Sequence, residues 1–186
     1  MDNYIRLYED RVPVNKCQEM INLFEQDTAN HQIQDCGGGA TLTQVNMLHS
    51  KDTPWREYAN FLVNVIMNCV EDYRKDCHIQ SHDFPTAFGF EPPKIKRYLP
   101  DTTDEFPNHV DVLDYKTARR FLVAFIYLDD NDNGETIVNP KDDLFVSSCN
   151  SGSVLLFPPF FTHPHTGKKP VDKPKYIAGS YLHYSP

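Results

Sequence analysis

The stretch "FPPFFTHPHTGKKPVDKPKYIAGSYLHY", Phe157 to Tyr184, decides how the chain is read. An apolar run ends at Phe157, the chain turns through prolines, and His163 and His165 follow. Lys175 stands ten residues beyond His165 and opens a run of β-branched and aromatic residues. Such a run reads as a strand. The same texture begins at about Pro93, with strands expected near Lys94–Tyr98, Arg120–Leu128, Glu135–Val138, Leu144–Ser147, Ser153–Phe157 and Lys175–Tyr184.

Before Pro93 the periodicity is helical. In "PVNKCQEMINLFEQ", Cys17, Met20, Ile21 and Phe24 recur at i, i+3, i+4 and i+7. Asn15 is placed to cap this helix, with Gln18 reaching back. A longer helix is expected in "DTPWREYANFLVNVIMNCVEDYRKDC". Thr53 caps it, Pro54 takes the first position, and Trp55, Tyr58, Leu62, Val65, Ile66, Cys69 and Tyr73 form its apolar face. Helices followed by strands, without a βαβ rhythm, give an α+β fold: an antiparallel jelly-roll core with supporting N-terminal helices.

The chain has 186 residues, a hydrophobic fraction of 40%, 12 Phe and 10 Tyr, enough for one packed domain. The organisation expected is a single domain over 1–186, with helical support in about 1–92 and the jelly-roll core in about 93–184. A net charge of −8 argues against nucleic acid and anionic membrane as partners. No apolar run spans a bilayer, and "MDNYIRLYED" lacks the regions of a signal peptide, so a cytoplasmic location is expected. The five cysteines are odd in number and contain no CxxC pair, which suits reduced thiols. "CGGGAT", Cys36 to Thr41, lacks the Lys-Ser/Thr of a phosphate loop and reads as a flexible turn. The residues say nothing of oligomeric state.

In "FPNHVDVLDY", His109 and Asp111 are separated by one residue. Two histidines and a carboxylate can hold Fe(II) on one face and leave the opposite positions open. His109 and Asp111 could supply two of these ligands, with His163, His165 or His183 as the third.

The order of motifs goes further. "HVD", "YLDD", "NGET", "LLFP", "HTG" and Lys175 resemble, in sequence and spacing, the prolyl 4-hydroxylase-type Fe(II)/2-oxoglutarate-dependent oxygenases, particularly single-domain microbial or viral forms. The resemblance covers about Lys94 to Tyr184 and departs from the family at Asn133, where a glycine is usual. Asn also accepts positive φ, so the turn tolerates it.

The resemblance implies a double-stranded β-helix core with His109, Asp111 and His165 as iron ligands. It implies 2-oxoglutarate held by Lys175, Tyr98, Tyr127 and Thr136, and substrate contacts from Arg120, Tyr181 and His183. His163 becomes a neighbour. A carboxylate at Asp111 implies hydroxylation, since related halogenases lack it. The implied reaction consumes O₂ and 2-oxoglutarate, with ascorbate as reductant, and releases succinate and CO₂. A proline-containing peptide or protein is the implied substrate and partner. The alternatives are the same chemistry on a free amino acid or small molecule, and a non-catalytic metal-binding jelly-roll protein. Two segments, Gln34–Gln44 and Leu99–Asn108, could close over a substrate, and the residues do not decide whether they act as lids. Asp101, Asp104 and Glu105 in the second would favour a neutral or cationic peptide.

Overall fold

The computed structural model describes residues 4–139 and 145–185. Leu144, at the start of one expected strand, lies outside them. Twelve strands and two α-helices follow in the order β1 (Arg6–Tyr8), α1 (Val14–Gln26), β2 (Gln32–Gly37), β3 (Ala40–Asn46), α2 (Trp55–Asp76), β4 (Phe88–Phe90), β5 (Lys94–Tyr98), β6 (Phe106–His109), β7 (Arg120–Tyr127), β8 (Thr136–Val138), β9 (Phe145–Val146), β10 (Val154–Phe157), β11 (His165–Gly167) and β12 (Lys175–Tyr184). One eight-stranded sheet runs β1-β10-β7-β12-β5-β3-β2, with β4 added to β12. A four-stranded sheet runs β6-β11-β8-β9. The strand pairs are antiparallel, as the jelly-roll reading requires.

Successive strand residues point to opposite faces, and both faces of the large sheet are used. Along β7, Leu122, Ala124 and Ile126 join the core under the helices, while Val123, Phe125 and Tyr127 join the core on the other face. On β12, Tyr176, Ala178 and Leu182 take the helix side, and Ile177 the other. Helix α1 buries Cys17, Met20 and Phe24; α2 buries Trp55, Leu62, Ile66, Cys69 and Tyr73 against that same face. Each fully buried large side chain contributes roughly 1.5–3 kcal/mol. The indole N–H of Trp55 donates to Asp27 at 2.8 Å, so the largest buried side chain leaves no polar atom unpaired. Among the described residues, no helix is long and apolar enough to cross a membrane.

Two local readings change. Helix α1 starts at Val14 with Pro13 at its N-cap, so Asn15 lies inside the first turn. The Lys16 and Cys17 amides close on the Pro13 carbonyl, and Gln18 bonds Asn22 instead of reaching back. Proline's fixed φ begins the helix two residues earlier than the polar cap suggested. For α2, the Thr53 hydroxyl accepts the Trp55 amide at 3.3 Å and Pro54 sits at the start with helical dihedrals.

The larger change concerns the first half, which also supplies strands. Gln34–Gln44 is part of the β2–β3 hairpin, and "CGGGAT" makes its turn, with Gly37, Gly38 and Gly39 all at positive φ. That conformation suits glycine. A paired hairpin attached to β5 is not a free lid.

Where β7 leaves the sheet, Asp129 accepts the Tyr176 amide at 2.8 Å. Burial raises its carboxyl to about 6, against the opposing pull of that amide, Lys173 and Lys175. The folded protein therefore binds a proton more tightly than the unfolded chain between about pH 4 and 6, and loses this stability as pH rises through that window. Asp129→Asn keeps an oxygen for the Tyr176 amide and removes the buried charge. Its Tm at pH 7.5 should rise above wild type, and its Tm from pH 4 to 6 should fall less; a lower Tm at pH 7.5 contradicts this.

Candidate metal centre and active-site cavity

Strand register brings distant residues together. His165 on β11 lies directly opposite His109 on β6, and their rings are 4.2 Å apart. Asp111 follows β6 at once, and the Asp111 and Val112 amides donate to the Pro159 carbonyl. His109 Nε2 lies 3.5 Å from Asp111 Oδ1, and His165 Nε2 lies 3.4 Å from Asp111 Oδ2. One ligand atom from each of the three residues falls within 4.8 Å of the others.

The hydrogen bonds around the triad leave its inward atoms free. His109 Nδ1 bonds the Pro107 carbonyl at 2.8 Å, and His165 Nδ1 bonds the His163 carbonyl at 3.1 Å. A carbonyl only accepts, so each Nδ1 carries a proton and each Nε2 is turned toward the space between the three residues, where a metal would bind it. His165 Nε2 and Asp111 Oδ2 are buried without a partner. Such orphaned acceptors are costly unless a cation meets them. Burial holds the His165 imidazole down at about 4, so it is neutral. Burial works to raise the Asp111 carboxyl, but His109, His165 and the Tyr181 hydroxyl, 2.6 Å away, outweigh it and hold it at about 2. Two imidazoles, the His165 ring neutral, beside an ionised carboxylate are the donor set that suits Fe(II), so the residues present fit the metal.

A cavity of about 360 Å³ opens onto the triad, and a narrow recess continues past it to Lys175. Lys175 is 1% exposed. Its ammonium donates to the carbonyls of Gly134 and Lys168 at 3.1 and 2.8 Å, and lies over the Tyr98 ring at 4.4 Å. Two of its three N–H groups are thus used and one remains. Burial pushes the amine down to about 8.

No protein-family model matches the chain, and the search of curated proteins gives no match. Solved structures do match. A viral collagen prolyl hydroxylase from Paramecium bursaria Chlorella virus-1, in its 2-oxoglutarate complex, gives a TM-score of 0.71 at 14% identity, covering 98% of this chain and 97% of that one. This chain has the prolyl hydroxylase fold. A Pseudomonas putida prolyl-4-hydroxylase gives 0.66 at 11% identity, over 99% and 94% of the two chains. A Trichoplax adhaerens prolyl hydroxylase, in complex with a hypoxia inducible factor oxygen degradation domain peptide fragment, gives 0.68 at 14% identity, over 97% and 84%.

Within this prolyl hydroxylase fold the remaining expected site residues separate into two groups. Tyr98, Thr136 and Lys175 line the recess; Arg120 lines the outer cavity; Tyr181 lines both. Tyr127 stands one layer back, its hydroxyl bonded to Thr136 at 2.8 Å and Ser147 at 2.7 Å. His183 faces Gly89 across β4 and is absent from the cavity lining. The His163 ring packs near Phe157, and its backbone carbonyl anchors His165.

Three features escaped the sequence reading. Glu91 grips Arg120 through two hydrogen bonds of 2.7 and 2.8 Å, and the guanidinium lies 3.9 Å over the Tyr181 ring. Lys96 lines both cavity and recess. The third corrects the acidic lid: Asp104 is buried, bonded to Thr41 and to the Leu99 amide, while Asp101 and Glu105 do not line the cavity. A strand-rich pattern without visible pairing partners conceals all three.

Isothermal titration of the metal-free protein with Fe(II) under anaerobic conditions should show one ion per chain. Alanine at His109, Asp111 or His165 should weaken binding by at least about 100-fold, and Tyr181→Phe by about tenfold, since losing a ligand costs more than losing a group that only orients one. Unchanged affinity in His165→Ala contradicts this geometry.

Proposed function

We propose that the whole chain is one Fe(II)- and 2-oxoglutarate-dependent dioxygenase domain that hydroxylates an unactivated C–H bond, with a peptidyl proline as its target. The observation that carries this reading is the His109–Asp111–His165 triad, with two unpartnered buried acceptors, at the entrance to a recess closed by a buried ammonium. The 2-oxoglutarate complex of the viral neighbour and the peptide complex of the Trichoplax neighbour support it.

His109, Asp111 and His165 would hold the iron. Iron held there would supply O₂ activation, with one oxygen atom entering the C–H bond as C–OH and the other entering succinate as 2-oxoglutarate loses CO₂. The free N–H of Lys175 would meet the distal carboxylate of 2-oxoglutarate, and this pairing restores the charge that burial disfavours. Tyr98 forms the wall beneath that ammonium. Thr136 lines the recess with its orientation set by Tyr127, so Tyr127 acts as a positioning residue. Tyr181 fixes one oxygen of Asp111, and Arg120, clamped by Glu91, holds the Tyr181 ring and the Asp111 carbonyl. Phe106, Phe125 and Ile177 make the apolar lining that keeps water from the reacting centre.

The test is succinate release by the iron-loaded protein, with ascorbate as reductant, while proline-containing peptides are followed for the mass of one added oxygen. Coupled succinate and peptide oxidation is expected. Lys175→Met should raise KM for 2-oxoglutarate by about 100-fold or more, because it leaves a buried carboxylate unpaired. Succinate with oxidation of free amino acids but no peptide would move the substrate to a small molecule. Iron binding without any succinate would leave a binding protein.

A further inference from the structure

Lys94, Lys96 and Tyr98 alternate along β5, which gives all three the same face of the large sheet. Lys94 and Lys96 line the outer cavity, and Lys96 and Tyr98 line the recess. Lys96 therefore stands at the junction between the space a substrate must enter and the space assigned to 2-oxoglutarate.

The other charged groups lining the outer cavity are already engaged. Arg120 and Glu91 hold one another through two hydrogen bonds. Asp111 belongs to the metal triad and accepts the Tyr181 hydroxyl. Asp35 is exposed and accepts the Gly37 amide of its own hairpin turn. Lys94 and Lys96 are not engaged in this way. Among the described residues, neither lysine has a carboxylate within ion-pair distance or donates a side-chain hydrogen bond. The contact of Lys96 is the Phe106 ring, 5.4 Å from its ammonium.

A half-buried ammonium whose attracting carboxylate, Asp111, lies beyond ion-pair distance and belongs to the metal triad is costly to fold around. It stands out further in a chain of net charge −8. The distal carboxylate of 2-oxoglutarate is already matched by Lys175 and its other end by the metal, so the cavity's remaining positive charge faces whatever enters from outside. We infer that Lys96, with Lys94 beside the mouth, is the receptor for a carboxylate of the primary substrate, so that the enzyme selects peptides carrying an acidic side chain close to the reacting proline. This rests on the oxygenase reading above and reverses the charge preference that the acidic segment Leu99–Asn108 suggested.

Three fluorescein-labelled proline peptides, identical except for Glu, Gln or Lys beside the proline, test it. Their binding is measured by anisotropy without O₂, in the presence of Mn(II) and 2-oxoglutarate, and their turnover by succinate release with iron and O₂. The wild type should bind the Glu peptide about tenfold more tightly than the Gln peptide, with the Lys peptide weakest. Lys96→Met should bring the three together while KM for 2-oxoglutarate changes far less than in Lys175→Met, and Lys96→Glu should favour the Lys peptide. Lys96→Gln, with Tm measured for every variant, substitutes for any variant that does not fold.

Equal binding of the three peptides, or binding of none, by a wild-type protein that consumes 2-oxoglutarate overturns the inference. So does a large rise in KM for 2-oxoglutarate in Lys96→Met with the peptide order retained, which would assign Lys96 to the cosubstrate. Absence of 2-oxoglutarate consumption with every peptide overturns the oxygenase reading instead.

Discussion

The direct antiparallel pairing of His165 with His109 is the contact on which the site depends. It joins two segments separated by much of the chain's second half, and it sets two imidazoles side by side on one sheet. Because strand side chains alternate, a slip of one residue would turn one imidazole to the opposite face. The pairing of β11 with β8 holds the other edge of that short strand and limits such a slip. Backbone carbonyls then fix both Nδ1 atoms, and the Pro159 carbonyl fixes Asp111. The architecture thus gathers three ligand atoms, two of which, His165 Nε2 and Asp111 Oδ2, are buried with no partner of their own, a poor arrangement for stability and a good one for a cation.

The large sheet makes this tolerable by having a conventional core on its other face. Trp55, Leu62, Ile66, Phe24 and Met20 are buried there with the outward-pointing residues of β7, β10 and β12. The stabilisation is gathered on the helix side, and the site side retains a buried ammonium, a buried carboxylate and unpartnered lone pairs. β12 shows the division along a single strand: Tyr176 and Ala178 serve the core, while Lys175, Ile177 and Tyr181 line the cavity or recess.

Much of this could be read in the residues because it has a local period or a fixed order. Strands Lys94–Tyr98 and Lys175–Tyr184 have the bounds that their composition indicates, and α2 follows its apolar spacing. The "HVD" to Lys175 order located the triad and the inner ammonium, since those roles depend on residue type at fixed separation. What could not be read depends on pairing. Ile33 is exposed and β2 is largely polar, so the β2–β3 hairpin carries little alternation, and its glycine turn resembles a loop. Asp104 reads as a loop charge until Thr41 is placed beside it. Lys96 reads as a solvated strand lysine, because only its place in the cavity wall without a direct ion pair makes it informative. Tyr127 lies behind Thr136 by one hydrogen bond, a layer that motif order does not resolve.

The central claim is that the His109–Asp111–His165 triad and Lys175 form one continuous site for a metal and a dicarboxylate. An anomalous difference map from crystals grown anaerobically with Fe(II) and 2-oxoglutarate tests it most directly. The account predicts one iron peak shared by His109 Nε2, Asp111 and His165 Nε2, with a carboxylate of 2-oxoglutarate at the Lys175 ammonium. Iron bound elsewhere, or 2-oxoglutarate bound away from Lys175, would contradict it.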